Sequence, residues 1–285
     1  MRFAINVPNF GVFGDARALA ELAHEAEEAG WDGFFLWDHI GSDWPSPACD
    51  PWLALTAMAM RTQRILLGPL VTPLPRRRPW KLARETVTLD RLSNGRLILG
   101  VGIGSDFGRE FSAYGESPDD KLHGAMLNEG LDVLTGLWSG QPFSYNGDHY
   151  TIREARYDPT PLQQPRIPIW VAGVWPNKRP FRRAARWDGV APIRKDQQPM
   201  RPDDIRAMLA YIHEQRAAEG IDDTRPYDVI CAGYVGEMDP SAATAFLDAY
   251  AAAGVTWWQE GFMPDESSLD IVHARIKQGP PHTSP

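Results

Sequence analysis

Asp15-Ala-Arg-Ala-Leu-Ala-Glu-Leu-Ala-His-Glu-Ala-Glu-Glu-Ala-Gly30, followed at once by Trp31-Asp-Gly-Phe-Phe-Leu-Trp-Asp-His39, joins a helix pattern to a strand pattern. In the first part Leu19, Leu22, Ala23 and Ala26 fall at i, i+3, i+4 and i+7, which is one apolar helix face. Asp15 is an N-cap candidate and Gly30 a C′ candidate. In the second part Gly33–Trp37 is an apolar run of strand length.

Outward from this unit the alternation repeats. Strand candidates are Phe3–Val7, Gly33–Trp37, Ile65–Leu70, Leu97–Val101, Ile169–Ala172, Gly189–Ala191, Tyr227–Ala232 and Val255–Gln259, each followed by a helix candidate. Helical spacing recurs at Leu127/Leu131/Leu134/Trp138 and at Ile205/Met208/Leu209/Ile212. Eight such pairs predict an α/β fold, a (β/α)8 TIM barrel, rather than an open doubly wound sheet. Trp31-Asp-Gly33 returns as Trp187-Asp-Gly189 before the sixth strand, the half-barrel equivalent place. The stretch Gly140–Pro168 lacks a helical period and carries Asn146-Gly147 between Tyr145 and Tyr150, so a hairpin insertion is expected between the fourth helix and fifth strand. The expected organisation is one barrel domain over residues 1–278 and a flexible tail over 279–285.

The chain has 285 residues, and a barrel of this class takes about 250. Lys+Arg 29 against Asp+Glu 37 gives a net charge of −8, which argues against a nucleic-acid or anionic-membrane partner and for a small molecule. Only Cys49 and Cys231 are present, too few for a disulfide framework. Met1 runs directly into a strand with no signal-like apolar segment, so a cytoplasmic location is expected.

In a barrel, chemistry belongs just past the C-terminal ends of the strands. Those positions are Asn6, Pro8 and Asn9 after the first strand, Asp38 and His39 after the second, Ser105 and Asp106 after the fourth, Tyr234 after the seventh and Glu260 after the eighth. His39 is the acid–base candidate, since histidine is the residue type that exchanges protons near neutrality. Asp38 is its sequence neighbour, either a partner or a group that orients something else. Trp44 and Trp175, with Tyr234 and Glu260, are candidates for a substrate pocket. Gly100, Gly102 and Gly104 miss the G-x-G-x-x-G spacing by one residue; they mark either close backbone approach to a flat ligand or a tight turn. Gly173, Val174, Asn177 and Lys178, ahead of Arg182 and Arg183, form either a phosphate cradle at a helix start or a solvated face. The basic run Arg76–Lys81 reads as a surface helix start, with contact to an anionic cofactor tail as the other reading. Zinc-hydrolase (H-E-x-x-H) and serine-elbow (G-x-S-x-G) patterns do not occur, and no metal is expected.

Gly30–His39, Leu67-Gly-Pro-Leu-Val-Thr-Pro73, Thr88-Leu-Asp-Arg-Leu-Ser-Asn-Gly-Arg-Leu97, Leu99–Gly104 with Glu110-Phe111, Val171-Ala-Gly173 and Arg183–Gly189 together resemble the bacterial luciferase-like monooxygenase family. The resemblance covers nearly the whole barrel. It implies a flavin- or deazaflavin-dependent oxidoreductase acting on a small organic substrate, with reduced FMN or coenzyme F420 at the mouth and frequent homodimers. By resemblance, His39 sits near the reactive ring face and Trp44 lines the pocket. A non-prolyl cis peptide is implied behind the ring, with Leu70-Val71 the candidate. By resemblance, backbone at Gly173–Lys178 takes the cofactor's phosphate; Asn6, Gly102 and Gly104 are cofactor-contact candidates from their place at the strand ends. Some deazaflavin dehydrogenases of the family carry Glu directly after the fourth strand's Gly-x-Gly, where this chain has Ser105 and Asp106, which puts a sugar-phosphate substrate in doubt. Two other readings of the barrel stay open: a cofactor-free lyase or isomerase using Glu260 and His39 as acid and base, and a non-catalytic partner subunit.

Overall fold

Asp15 caps its helix as expected, its carboxylate accepting from the Arg17 N–H at 2.8 Å, and Gly30 follows the helix end at φ +88°. The computed structural model describes residues 1–41, 43, 46–196, 198–221, 224–263 and 268–283. In chain order its elements are β1 (Arg2–Val7), α1 (Ala16–Glu28), β2 (Gly33–Leu36), α2 (Pro51–Arg61), β3 (Leu66–Pro69), β4 (Thr72–Pro73), α3 (Pro79–Leu92), β5 (Leu99–Gly102), α4 (Asp120–Trp138), β6 (Phe143–Asn146) and β7 (Thr151–Ala155). Then come β8 (Ile169–Trp175), α5 (Lys178–Ala184), β9 (Gly189–Arg194), α6 (Pro202–Ala218), β10 (Asp228–Gly233), α7 (Pro240–Ala252), β11 (Trp257–Gly261) and α8 (Leu269–Lys277).

The main sheet runs β3-β2-β1-β11-β10-β9-β8-β5-β4 and is parallel throughout. β3 and β4 are one barrel strand interrupted at Leu70-Val71, so eight strands form the ring, with helices outside. Closure comes where the Leu67 N–H donates to the Arg96 carbonyl at 3.1 Å and the Ile98 N–H to the Leu67 carbonyl at 2.9 Å. The α/β barrel read from the sequence is the fold of the chain. β8 and β9 extend beyond their expected ends because Val174 pairs with Ile193 and Trp175 with Arg194.

Strand alternation splits the core in two. Ala4, Phe35, Ile98, Trp170, Ile230 and Trp257 fill the barrel interior, while the larger apolar cluster lies between sheet and helices. The Trp-Asp-Gly repeat has one structural meaning at both places. The Asp32 carboxylate accepts from the Phe3 N–H and its amide donates to the Phe3 carbonyl; Asp188 does the same with Ile169. Each repeat thereby fastens one barrel strand to the next at the N-terminal end. β6 and β7 form an antiparallel hairpin between α4 and β8, its loop held by Glu129 of α4, which accepts from the N–H groups of Asp148, His149 and Tyr150 at 2.9–3.0 Å. Among the described residues no helix is long and apolar enough to cross a membrane.

Candidate functional site

β2 ends on Leu36, and the chain carries Trp37, Asp38 and His39 onto the C-terminal mouth. Asp38 is 2% exposed, so its charge must be compensated by the protein. Its carboxylate accepts from Arg76 Nη2 at 2.7 Å, from Arg77 Nη2 at 2.6 Å and Nε at 3.1 Å, and from Thr72 Oγ1. Arg76 and Arg77 lie directly after β4, and their side chains are only 7% and 18% exposed. The expected surface helix start is therefore corrected at these two residues: they turn inward because two buried carboxylates converge on them.

The second carboxylate is Glu110, from the loop after β5. It accepts from Arg76 Nη1 at 2.6 Å and from the Ile40 and Gly41 N–H groups at 2.8 and 3.1 Å. Its Oε2 also pairs with His39 Nδ1 at 3.2 Å. Burial pushes the Glu110 carboxyl up, but His39, Arg76 and the Gly41 N–H outweigh it and hold it at about 2. The loop that delivers Glu110 is folded by Asp106, whose carboxylate accepts from the N–H groups of Phe111 and Ser112 at 2.9 and 3.0 Å. The His39 backbone is fixed by the fully buried Asn9: its Oδ1 accepts from the His39 N–H at 3.0 Å, and its Nδ2 donates to the carbonyls of His39 at 2.8 Å and Cys49 at 2.7 Å. Phe10 and Trp37 flank the imidazole at ring distances of 5.6 and 5.8 Å. Nδ1 thus faces the Glu110 carboxylate.

The other expected site residues divide. Asn6 lies inside the barrel, its Nδ2 donating to Gln259 Oε1 at 2.8 Å. The Leu70-Val71 peptide bond is cis, and both side chains are partly exposed. Gly100 and Gly102 make room for this strand interruption: a Cβ at Gly100 would lie 2.4 Å from the Pro69 carbonyl oxygen, and one at Gly102 2.9 Å from Val71 Cγ2. Gly104 is at φ +78° with Phe111 packed against it. Gly173 faces outward, where a Cβ would meet Pro180 of α5 at 2.6 Å, while Val174 faces the mouth. The Asn177 N–H donates to the Val174 carbonyl at 3.0 Å. Lys178 Nζ lies over the Trp175 and Tyr211 rings at 4.2 and 4.4 Å. Arg183 turns to α4, donating to Asn128 Oδ1 at 2.6 Å and the Gly124 carbonyl at 2.9 Å, and burial pulls it down to about 10. Trp175 packs edge-on against Phe181 on the outer wall. Tyr234 is exposed at the mouth, edge-on to Phe262. Trp44 lies outside the described residues.

Glu260 is not brought to the mouth. It is fully buried on the outer face, accepting from Trp258 Nε1 at 3.1 Å and the Val235 N–H at 3.2 Å, with Arg275 Nε at 3.5 Å. Burial pushes its carboxyl up against the pull of Arg275, the Val235 N–H and the indole. The acid–base pairing of Glu260 with His39 therefore has no geometric support. At the barrel's other end, His24, Glu27 and Glu28 bring ligand-type atoms within 4.8 Å of one another. The Glu27 oxygens, however, already accept from the Gln63, Arg64 and Ile65 N–H groups at 2.5–3.1 Å.

The sequence profile of a family described as luciferase-like monooxygenase matches residues 1–278. The F420-dependent glucose-6-phosphate dehydrogenase of Nakamurella multipartita is 36% identical over 155 residues, 50% of this chain and 44% of that one. The oxygenase component of a flavin-dependent trigonelline monooxygenase from Acinetobacter baylyi is 31% identical over 163 residues, 57% of this chain and 44% of that one. These matches span less than half the length of either relative. Among solved structures, an F420-dependent secondary alcohol dehydrogenase in complex with an F420-acetone adduct superposes with a TM-score of 0.81 at 16% identity, covering 97% of each chain.

Proposed function

Since the chain belongs to the luciferase-like monooxygenase family, we propose that it is an oxidoreductase that binds reduced FMN or coenzyme F420 at the barrel mouth and acts on a small organic molecule. The observation that carries this reading is the His39–Glu110–Arg76–Asp38 network, which holds one imidazole at the C-terminal end of the barrel with Nδ1 toward Glu110. A ring fits the mouth on the side of Leu70, Val71, Ala172 and Ala191, where the inner wall is built of small or partly exposed side chains. The bound cofactor would supply the hydride or electron chemistry. His39 Nε2 donates or accepts the accompanying proton at the ring edge. Glu110 keeps the imidazole oriented, and Asp38 holds Arg76 and Arg77 in place. Backbone at Val174–Lys178 and the side chain of Asn6 contact the cofactor, while Tyr234 and Trp44 line the substrate side.

Hydrogen–deuterium exchange tests the placement. Adding F420 or reduced FMN is expected to protect residues 38–41, 70–73 and 102–105; protection confined to other segments would contradict the site.

The same reading includes a homodimer and a cytoplasmic location. Leu53 and Met60, two turns apart on α2 and 70% and 66% exposed, offer an apolar patch to a second copy. The two free cysteines suit a reducing compartment. Sedimentation of the parent against Leu53→Glu measures the first of these proposals, with the parent expected as a dimer and the variant as a monomer.

A further inference from the structure

The inner wall above the barrel core is open on the side of β8 to β11. Ala172 and Ala191 are in register and partly exposed, and Ala232, inside a barrel strand, is exposed. A Cβ at Gly261 would meet nothing closer than 3.8 Å. Around this opening, large apolar side chains stand at or past the C-terminal ends of five different strands: Ile40 is 40% exposed, Phe107 75%, Ile193 49%, Tyr234 38% and Met263 50%. Single exposed apolar residues are ordinary, but a ring of them at the mouth of a barrel marks a ligand surface.

Several cations around the mouth are committed elsewhere, while Lys195, just past β9, is exposed. Arg76 and Arg77 serve Asp38 and Glu110, and Arg194 pairs with Asp196 at 2.5 Å and Asp204 at 3.8 Å. Arg109 pairs with Asp43 at 3.5 Å, and Lys178 lies over two aromatic rings. Two buried polar side chains facing inward, Asn6 and Gln259, are neutral amides. With Asn6 Nδ2 donating to Gln259 Oε1, Asn6 Oδ1 and Gln259 Nε2 find no hydrogen-bond partner among the described residues. Turning both amides over exchanges the atoms and leaves the same result, one acceptor and one donor side by side. A phosphate would have to shed its water against apolar walls and neutral amides, whereas a neutral molecule loses little.

We propose that this mouth takes an uncharged, largely apolar substrate bearing one hydroxyl, carbonyl or amide group, and not a sugar phosphate. This rests on the mouth being the redox site described above. The test uses Nile red, a neutral apolar dye, with the full chain. The dye is expected to bind with enhanced emission, to be displaced by 2-decanone and not by glucose 6-phosphate, and to lose on the order of tenfold or more in affinity in Ala232→Asp and in Ile193→Asp. Displacement by glucose 6-phosphate, or unchanged affinity in both folded variants, would overturn the proposal. Dye binding of the expected kind in a protein that binds neither F420 nor reduced FMN would support the apolar mouth and remove the cofactor reading instead.

Discussion

His39, the proposed proton-exchange group, is positioned by Asn9 at its backbone and by Glu110 at Nδ1. Replacing it by Ala removes the proton-exchange group, and turnover of any accepted substrate is expected to fall by roughly two to four orders of magnitude while the fold is retained. A variant with unchanged turnover would remove His39 from the mechanism. Glu110 couples the same group to stability. Its carboxyl is lowered from an ordinary 4.5 to about 2, so its contribution is complete above about pH 4.5 and is lost as the pH falls toward 2. Glu110→Gln is expected to cost roughly 3 kcal/mol at neutral pH, because Arg76 loses a buried carboxylate partner. The gap between the denaturant midpoints of parent and variant should start to narrow below about pH 4.5 and close only as the pH approaches 2, and a gap independent of pH would contradict the assignment. The two residues differ in how visible they are in sequence. His39 ends an apolar run and announces itself, whereas Glu110 meets Arg76 from 34 residues away and the Ile40 N–H from 70, a meeting that only the closed barrel creates. One signal was available for Arg76 and Arg77: they follow the third barrel strand directly, and so stand at the mouth beside Asp38.

At the level of elements, the helices and strands were legible because their signals are local: the 3.6-residue period, Asp and Gly caps, and short apolar runs. Strand phase was harder. In Trp257-Trp258-Gln259-Glu260 every side chain is bulky, so the sequence does not say which two face inward, and Glu260 was expected on the wrong face. The Asn94-Gly95-Arg96 turn shows what a family motif can encode structurally. Asn94 and Gly95 take φ of 58° and 78°, which turns the chain so that Arg96 enters the wall. There its guanidinium donates to the carbonyls of Ala59, Thr62, Ile65 and Ser93 at 2.6–3.0 Å, closing the end of α2 onto the start of β3. Arg96→Met leaves those buried carbonyls without a donor and is expected to cost about 2–4 kcal/mol in chemical denaturation. A change below about 0.5 kcal/mol would show that the carbonyls find other partners.

For the whole molecule, one ring-shaped scaffold separates two kinds of work. Its N-terminal end carries strand-fastening aspartates, and its C-terminal end carries the imidazole, the carboxylate–guanidinium network and the apolar rim. This second end is the proposed binding site for a flavin-type cofactor. Anaerobic calorimetric titration of the purified protein with F420, FMN and reduced FMN tests it most directly. Saturable binding of F420 or reduced FMN, one site per chain and on the order of micromolar or tighter, is the predicted result, while binding of none of the three would contradict the account.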